Sequence, residues 1–195
     1  MSTEEHAVGH VVAGRLRVGR PLSRRSDAAL VRSAQGGSAE AAEELFRRHW
    51  PAVHRSAWLV VHDAAAAEDI AQEAFVSALR ALDRFDRRRP LAPWLHRIVV
   101  NRAIDWARAR ALRPETGADT VLEAAAPEVR DALGDEVLAA LADLGPEHRA
   151  VVVLRHLLGY TPGEIAAMLD LPRGTVNSRL RRALDALSVA LEADR

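Results

Sequence analysis

The sequence predicts an all-α protein, two small helical domains joined by a flexible linker, and three observations predict it. The chain is 49% hydrophobic, much of that Ala and Leu, with one Tyr and three Phe, a composition that suits helices better than strands. Apolar residues recur at helical spacing from Asp27 to about Arg113, and again from Asp135 onward. Between them Pro114 to Gly134 is rich in Ala, Pro, Gly and acid and carries no apolar stripe, as a linker does. The expected division is a disordered basic extension over 1–26, a first domain over 27–113, an acidic linker over 114–134 and a second domain over 135–195.

The extension contains Gly9, Gly14, Gly19 and Pro21 with scattered Arg and no hydrophobic period. Two readings of it are open, a basic arm that touches nucleic acid and an unstructured tail. Helical signals begin at Asp27, placed to cap DAALVRSAQ, with Gly36 and Gly37 as its end. Ser38 opens a helix expected to stop near Pro51, and Pro51 starts a further one, AVHRSAWLVV, closed by His62 and Asp63. Leu45, Phe46, Val53, Ala57, Trp58 and Val61 are the expected core. His49, His54 and His62 lack the converging carboxylate or Cys of a zinc site and read as surface or hydrogen-bonded histidines.

Asp63 caps the next helix, about Ala64 to Leu82. Steps of 100° place Ala67, Ile70, Ala71, Ala74, Phe75, Ala78, Leu79 and Leu82 on one half, and Asp69, Gln72, Glu73, Val76 and Arg80 on the other. A solvated face is the default reading of such charges; Val76 in their midst points to a protein partner. Asp83 to Pro90 reads as an exposed basic loop with one aromatic. Pro93 then starts an apolar helix, WLHRIVVNRAIDWARARAL, on which Arg97, Asn101 and Arg108 share a narrow arc while Trp94, Leu95, Ile98, Val99 and Trp106 supply core. Seven of the eight aromatic residues lie between Phe46 and Trp106, so any stacking on unpaired bases belongs to this half.

In the second half Asp135 to Leu144 and Pro146 to Leu158 are two helices. Thr161-Pro162-Gly163-Glu164 fits a capping box with Pro at the first helical position. Ile165, Met168 and Leu169 share one side of the helix it opens, and Asp170-Leu171-Pro172 stops it. In the last helix Val176, Leu180, Ala183, Leu184 and Leu187 form a buried stripe, opposite Arg173, Asn177, Ser178, Arg181 and Arg182. Two short helices with a tight connection and a cationic outer face describe a helix-turn-helix whose second helix enters a DNA major groove. A helical hairpin with a solvated basic face has the same periodicity, but Arg173 to Arg182 holds four Arg and no acid. Arg and Asn can grip guanine and adenine by paired hydrogen bonds, whereas Ser and the other Arg side chains suit phosphates.

The chain has 27 basic and 27 acidic residues and a formal net charge of +0, but the total hides a segregation. From Asp83 to Arg113 nine Arg stand against three Asp, and from Pro114 to Glu136 seven acids stand against one Arg. With no Cys, disulfides and thiolate metal sites are excluded. Short apolar runs and an acidic start lead us to expect neither a signal peptide nor a membrane span, and a cytoplasmic protein. No nucleophile with a convergent base and no cluster of metal carboxylates marks an enzyme, and no cofactor is implied.

Three motifs in order, AAAAEDIAQEAFVSALRAL, RRRPLAPWLHRIVVNRAIDWAR and LADLGPEHRAVVVLRHLLGYTPGEIAAMLDLPRGTVNSRLRRAL, resemble the extracytoplasmic function (group IV) sigma factors of bacterial RNA polymerase. The resemblance covers about Asp27 to Leu191. It implies a region 2 bundle and a region 4 helix-turn-helix, with core RNA polymerase (beta-prime clamp and beta flap), promoter DNA and an anti-sigma factor as partners. Glu68, Asp69, Gln72 and Glu73 match the clamp-docking positions. Phe85, Arg87, Arg88 and Arg89 overlap the loop that shapes the minus-10 base pocket, and Asn101, with Arg97 and Arg108 on its arc, matches the residue that helps hold a flipped base there. Arg173, Thr175, Asn177, Ser178, Arg181 and Arg182 fall on the helix that reads the minus-35 element, and the acidic linker matches the segment that threads the polymerase. Asp170 stands where Gly is common, and Asp tolerates the left-handed turn. The alternative from another class is an autonomous helix-turn-helix regulator that needs no polymerase; it requires a sensory domain upstream.

Overall fold

A computed structural model describes residues 22–111, 131 and 133–193. The 1–26 extension, apart from 22–26, and the linker, apart from 131, 133 and 134, lie outside the described residues. The first half is α1 (Asp27–Gln35), α2 (Ala39–Val61), α3 (Ala64–Ala81) and α4 (Leu91–Ala111). The second is α5 (Asp135–Asp143), α6 (Pro146–Val152, ending in a π-helical turn Val153–Leu157), α7 (Pro162–Leu169) and α8 (Arg173–Ala193). No strand occurs among the described residues.

Most start signals act as the sequence predicts. Asp63 accepts the Ala66 N–H at 3.0 Å to open α3. At α7 the reciprocal capping box is complete, the Glu164 N–H donating to Thr161 Oγ1 at 3.3 Å and the Thr161 N–H to Glu164 Oε2 at 2.8 Å. Asp170 ends α7 in the left-handed conformation at φ 53°, as its short polar side chain permits.

Four expectations are corrected. Ser26, not Asp27, caps α1, because Asp27 is taken by Arg48 at 2.6 Å and His49 at 2.8 Å. Pro51 breaks nothing: α2 runs through it. The missing N–H would have bonded the Arg47 carbonyl; both Pro51 and Arg47 lie on the exposed side of the helix, where a carbonyl without its helical donor costs least, while Leu45 and Val53 on the buried side keep the axis continuous. The fourth helix starts at Leu91, two residues before Pro93, since Leu91 is buried in the core. Phe46, Leu79 and Leu184, expected in the core, are 38%, 43% and 44% exposed.

The halves do not stand apart. One hydrophobic core runs from Leu45, Trp58 and Val99 of the first half to Val151, Leu154 and Ile165 of the second. A smaller cluster of Leu141, Leu144, Val152 and Ala183 belongs to the second half alone. In the seam α6 packs on α2 and α4, and α7 packs on α4.

Candidate nucleic-acid interface

Three surfaces hold the sequence-predicted residues. On α3, Glu68, Asp69, Gln72 and Glu73 are exposed around Val76, which is 44% exposed. The opposite face of this helix is filled with Ala and Phe75, which seats it flat on α2 and α4 and leaves the acids outward. Glu73 is held at 2.7 Å by Arg102 of α4, which also donates to Ser77, so an ion pair fixes one edge of the face.

The second surface surrounds a cleft of ≈ 570 Å³ lined by Phe85, Arg89, Trp94 and Arg97 from the first half and by Ala167 and Met168 from the second. Arg87, Arg88, Arg89 and Arg97 are exposed. Asp86 sits among them, its carboxyl held below the usual range by the Arg88 backbone N–H and then by the Arg88 guanidinium. Phe85 corrects the exposed-loop expectation: it is buried, its ring 4.7 Å from that of Trp94. It is a wall of the cleft rather than a platform for a base. Asn101 is half-buried, its amide donating to the Met168 carbonyl at 3.1 Å. Arg108 bonds Glu147 at 2.7 Å, and this holds the Glu147 carboxyl low.

The third surface is α8. Arg173, Asn177, Arg181 and Arg182 are exposed, whereas Thr175 and Ser178 are half-buried, Ser178 donating to the Thr175 carbonyl at 2.9 Å. Val176, Leu180 and Ala183 turn inward, and this buried stripe holds the cationic residues outward.

Sequence reasoning missed the residues that join the halves. Arg149 is buried and donates to the Leu141 and Leu144 carbonyls at 2.7 and 2.8 Å, to Ala142, and across the seam to Val60 at 2.6 Å. These carbonyls lie at the C-terminal ends of α5 and α2, where intrahelical donors run out and a cation is favoured. Burial pushes the Arg149 guanidinium down to about 10, with Asp143 opposing, so it remains charged near neutrality. The signal in the sequence was an Arg on the apolar stripe of RAVVVLR. His96 and Tyr160 also meet across the seam, Nδ1 to hydroxyl at 2.7 Å.

His96 and His62 are both buried, against the expectation that His62 is a surface or hydrogen-bonded residue. The His62 ring stacks on Trp58 at 5.0 Å and makes no well-formed hydrogen bond. Burial, then the Arg149 charge, push His62 down to about 3, the Leu59 backbone opposing. Burial, then His49 and Arg55, push His96 down to about 4. A histidine whose folded value lies below its unfolded one contributes stability above about pH 6.5 and loses it as pH falls toward the folded value. Going from pH 7.5 to 5.5 therefore should cost the fold about 3 kcal/mol from these two rings. Urea unfolding at both pH values checks this; a His62→Gln/His96→Gln chain should show a smaller difference.

The sequence matches the Sigma-70 region 2 family over residues 45–113 and the Sigma-70, region 4 family over residues 134–187. It is 36% identical over 159 residues to the ECF RNA polymerase sigma factor SigM of Mycobacterium tuberculosis, covering 82% of this chain and 81% of that one. To the RNA polymerase sigma-H factor of Pseudomonas aeruginosa it is 32% identical over 186 residues, covering 88% of this chain and 96% of that one. Among solved structures, CnrH in complex with the cytosolic domain of CnrY is similar at a TM-score of 0.63 and 31% identity, over 87% of this chain and 99% of that chain. The half that an autonomous regulator would give to a sensory domain is thus a sigma region 2. With both regions matched in order, the protein belongs to the extracytoplasmic function group of RNA polymerase sigma factors and directs promoter-specific initiation of transcription.

Proposed function

We propose that three surfaces divide this work. Glu68, Asp69, Gln72 and Glu73 dock on the beta-prime clamp of core polymerase. Asn101 takes a flipped base of the minus-10 element, with Phe85 as a pocket wall and Arg87, Arg88, Arg89, Arg97 and Arg108 on the strand's phosphates. Stacking and pocket contacts of about 1 to 3 kcal/mol per base offset the cost of unpairing. Arg173, Thr175, Asn177, Ser178, Arg181 and Arg182 engage the minus-35 element, and the second half also meets the beta flap. The observation that carries this reading is the sorting of exposed charge: acids on α3, arginines around the cleft and along α8.

The chain does this by binding alone, with no covalent step and no cofactor of its own. Its place is the cytoplasm, with polymerase and promoter; among the described residues no helix is long and apolar enough to cross a membrane. An anti-sigma protein is the further partner, supported by the likeness to CnrH, itself solved in a complex.

Transcription in vitro with core polymerase and a promoter library tests the whole reading, which fails if the chain never yields promoter-specific transcripts. Within that assay Arg181→Ala should cost about 1 to 3 kcal/mol of promoter binding and relax preference at one upstream position. An equal loss on every sequence would make Arg181 a phosphate contact.

A further inference from the structure

We propose that the cleft beside Trp94 is a site for a free nucleoside polyphosphate, which competes there with the minus-10 strand. Three guanidiniums line it from three elements: Arg84 from the short turn Leu82–Arg84 that follows α3, Arg89 from the loop and Arg97 from α4. All three are exposed, and among the described residues none of them forms an ion pair. The carboxylate on the lining, Asp86, is spent on Arg88, whose backbone N–H and Nε reach it at 3.0 and 3.2 Å. A cleft walled by one sign of charge concentrates counter-ions, and a guanidinium fork fits phosphate oxygens.

The apolar side of the cleft suits a base. Trp94 stands one turn before Arg97 on α4 and is half-buried, its ring 4.7 Å from that of Phe85. An indole fixed by a second ring is a stacking surface that every base can use, and Met168 of α7 adds to the apolar lining. The loop is set before any ligand arrives. Gln35 Nε2 donates to the Leu82 and Phe85 carbonyls at 2.9 and 3.0 Å, and the Arg89 N–H closes a turn on the Asp86 carbonyl at 2.9 Å. Holding the lining in place in this way lowers the ordering cost of binding.

Room and charge together choose the ligand. At ≈ 570 Å³ the cleft has the size of a small-molecule site. A DNA strand carries one charge on each nucleotide, too little for three guanidiniums around so small a space, whereas a nucleoside di- or triphosphate gathers several charges on one base and sugar. Arg84 and Trp94 thus extend the site beyond the minus-10 residues assigned above. Binding of the nucleotide does not depend on that assignment; the competition rests on it.

Calorimetric titration of the full chain with ATP in excess magnesium, set against adenosine and inorganic tripolyphosphate, tests the site. We expect one ATP per chain, bound about tenfold or more tighter than either fragment, because ring and guanidiniums then act on one molecule. GTP should bind within about threefold of ATP, since stacking tolerates any base. Arg84→Gln, an exposed change that breaks no ion pair, should weaken ATP and tripolyphosphate about tenfold each and leave the melting temperature unchanged, while Trp94→Leu should weaken ATP alone. ATP at about ten times its Kd should weaken binding of an unpaired minus-10 oligonucleotide, taken from the promoter library, about tenfold by mass action. Tripolyphosphate as tight as ATP, more than one ATP per chain, or Arg84→Gln without effect means adventitious polyanion binding and overturns the proposal. Failure of ATP to bind a chain that still takes the oligonucleotide overturns it too, with the minus-10 reading intact. One ATP bound with no change in oligonucleotide affinity overturns the competition and takes the minus-10 strand out of this cleft, while the nucleotide site stands.

Discussion

Replacing both Asp69 and Glu73 by Arg should weaken binding to core polymerase about 100-fold or more. Both side chains are exposed on one face of α3, and setting like charges against a complementary surface costs several kcal/mol, each 1.4 kcal/mol being a factor of ten. The fold should barely notice. The double change breaks the Glu73–Arg102 ion pair, whose side chains are 67% and 39% exposed, and such a pair is worth about 0 to 1 kcal/mol. Fluorescence anisotropy with labelled protein measures the binding, and thermal unfolding measures the fold. A variant that unfolds early makes the acidic face structural; one that binds core enzyme normally removes this face from the interface.

Arg149→Ala should destabilise the protein by about 3 to 5 kcal/mol, an effect on the fold rather than on any promoter contact. Removing the guanidinium leaves the Val60, Ala142 and Leu144 carbonyls short of a donor and takes one of two donors from Leu141, which keeps the Leu144 N–H, and each unsatisfied buried acceptor costs about 1 to 3 kcal/mol before relaxation. Lys should not rescue it. Its compact ammonium has three donors and cannot span carbonyls that the flat guanidinium reaches from three nitrogens. Urea unfolding of wild type, Arg149→Ala and Arg149→Lys tests this, and a loss under about 1 kcal/mol for either variant would show that water takes over the carbonyls.

Much of this molecule was legible in one dimension. Helix-forming composition, the caps at Asp63 and Thr161, and the stripes of α3 and α8 are local properties, set by residues three or four apart. For the same reason the acidic face of α3 and the cationic face of α8 could be read directly: burying one side of an amphipathic helix leaves the other side outward whatever it packs on. The misreadings were places where a distant residue outvoted a local signal. Asp27 gave up its cap for Arg48 and His49, α2 ran through Pro51 because its buried side is continuous, and Phe85 turned inward onto Trp94.

What only the tertiary structure decided is how the two helical halves meet. The seam pairs His96 with Tyr160, Asn101 with Met168 and Arg149 with Val60, partners separated by 64, 67 and 89 residues. Two of these three bonds end on carbonyls at helix C-termini, which always lack an intrahelical donor. A sequence tells where such carbonyls will be; which donor from across the chain reaches them depends on how whole helices pack, and that is a property of their assembled surfaces.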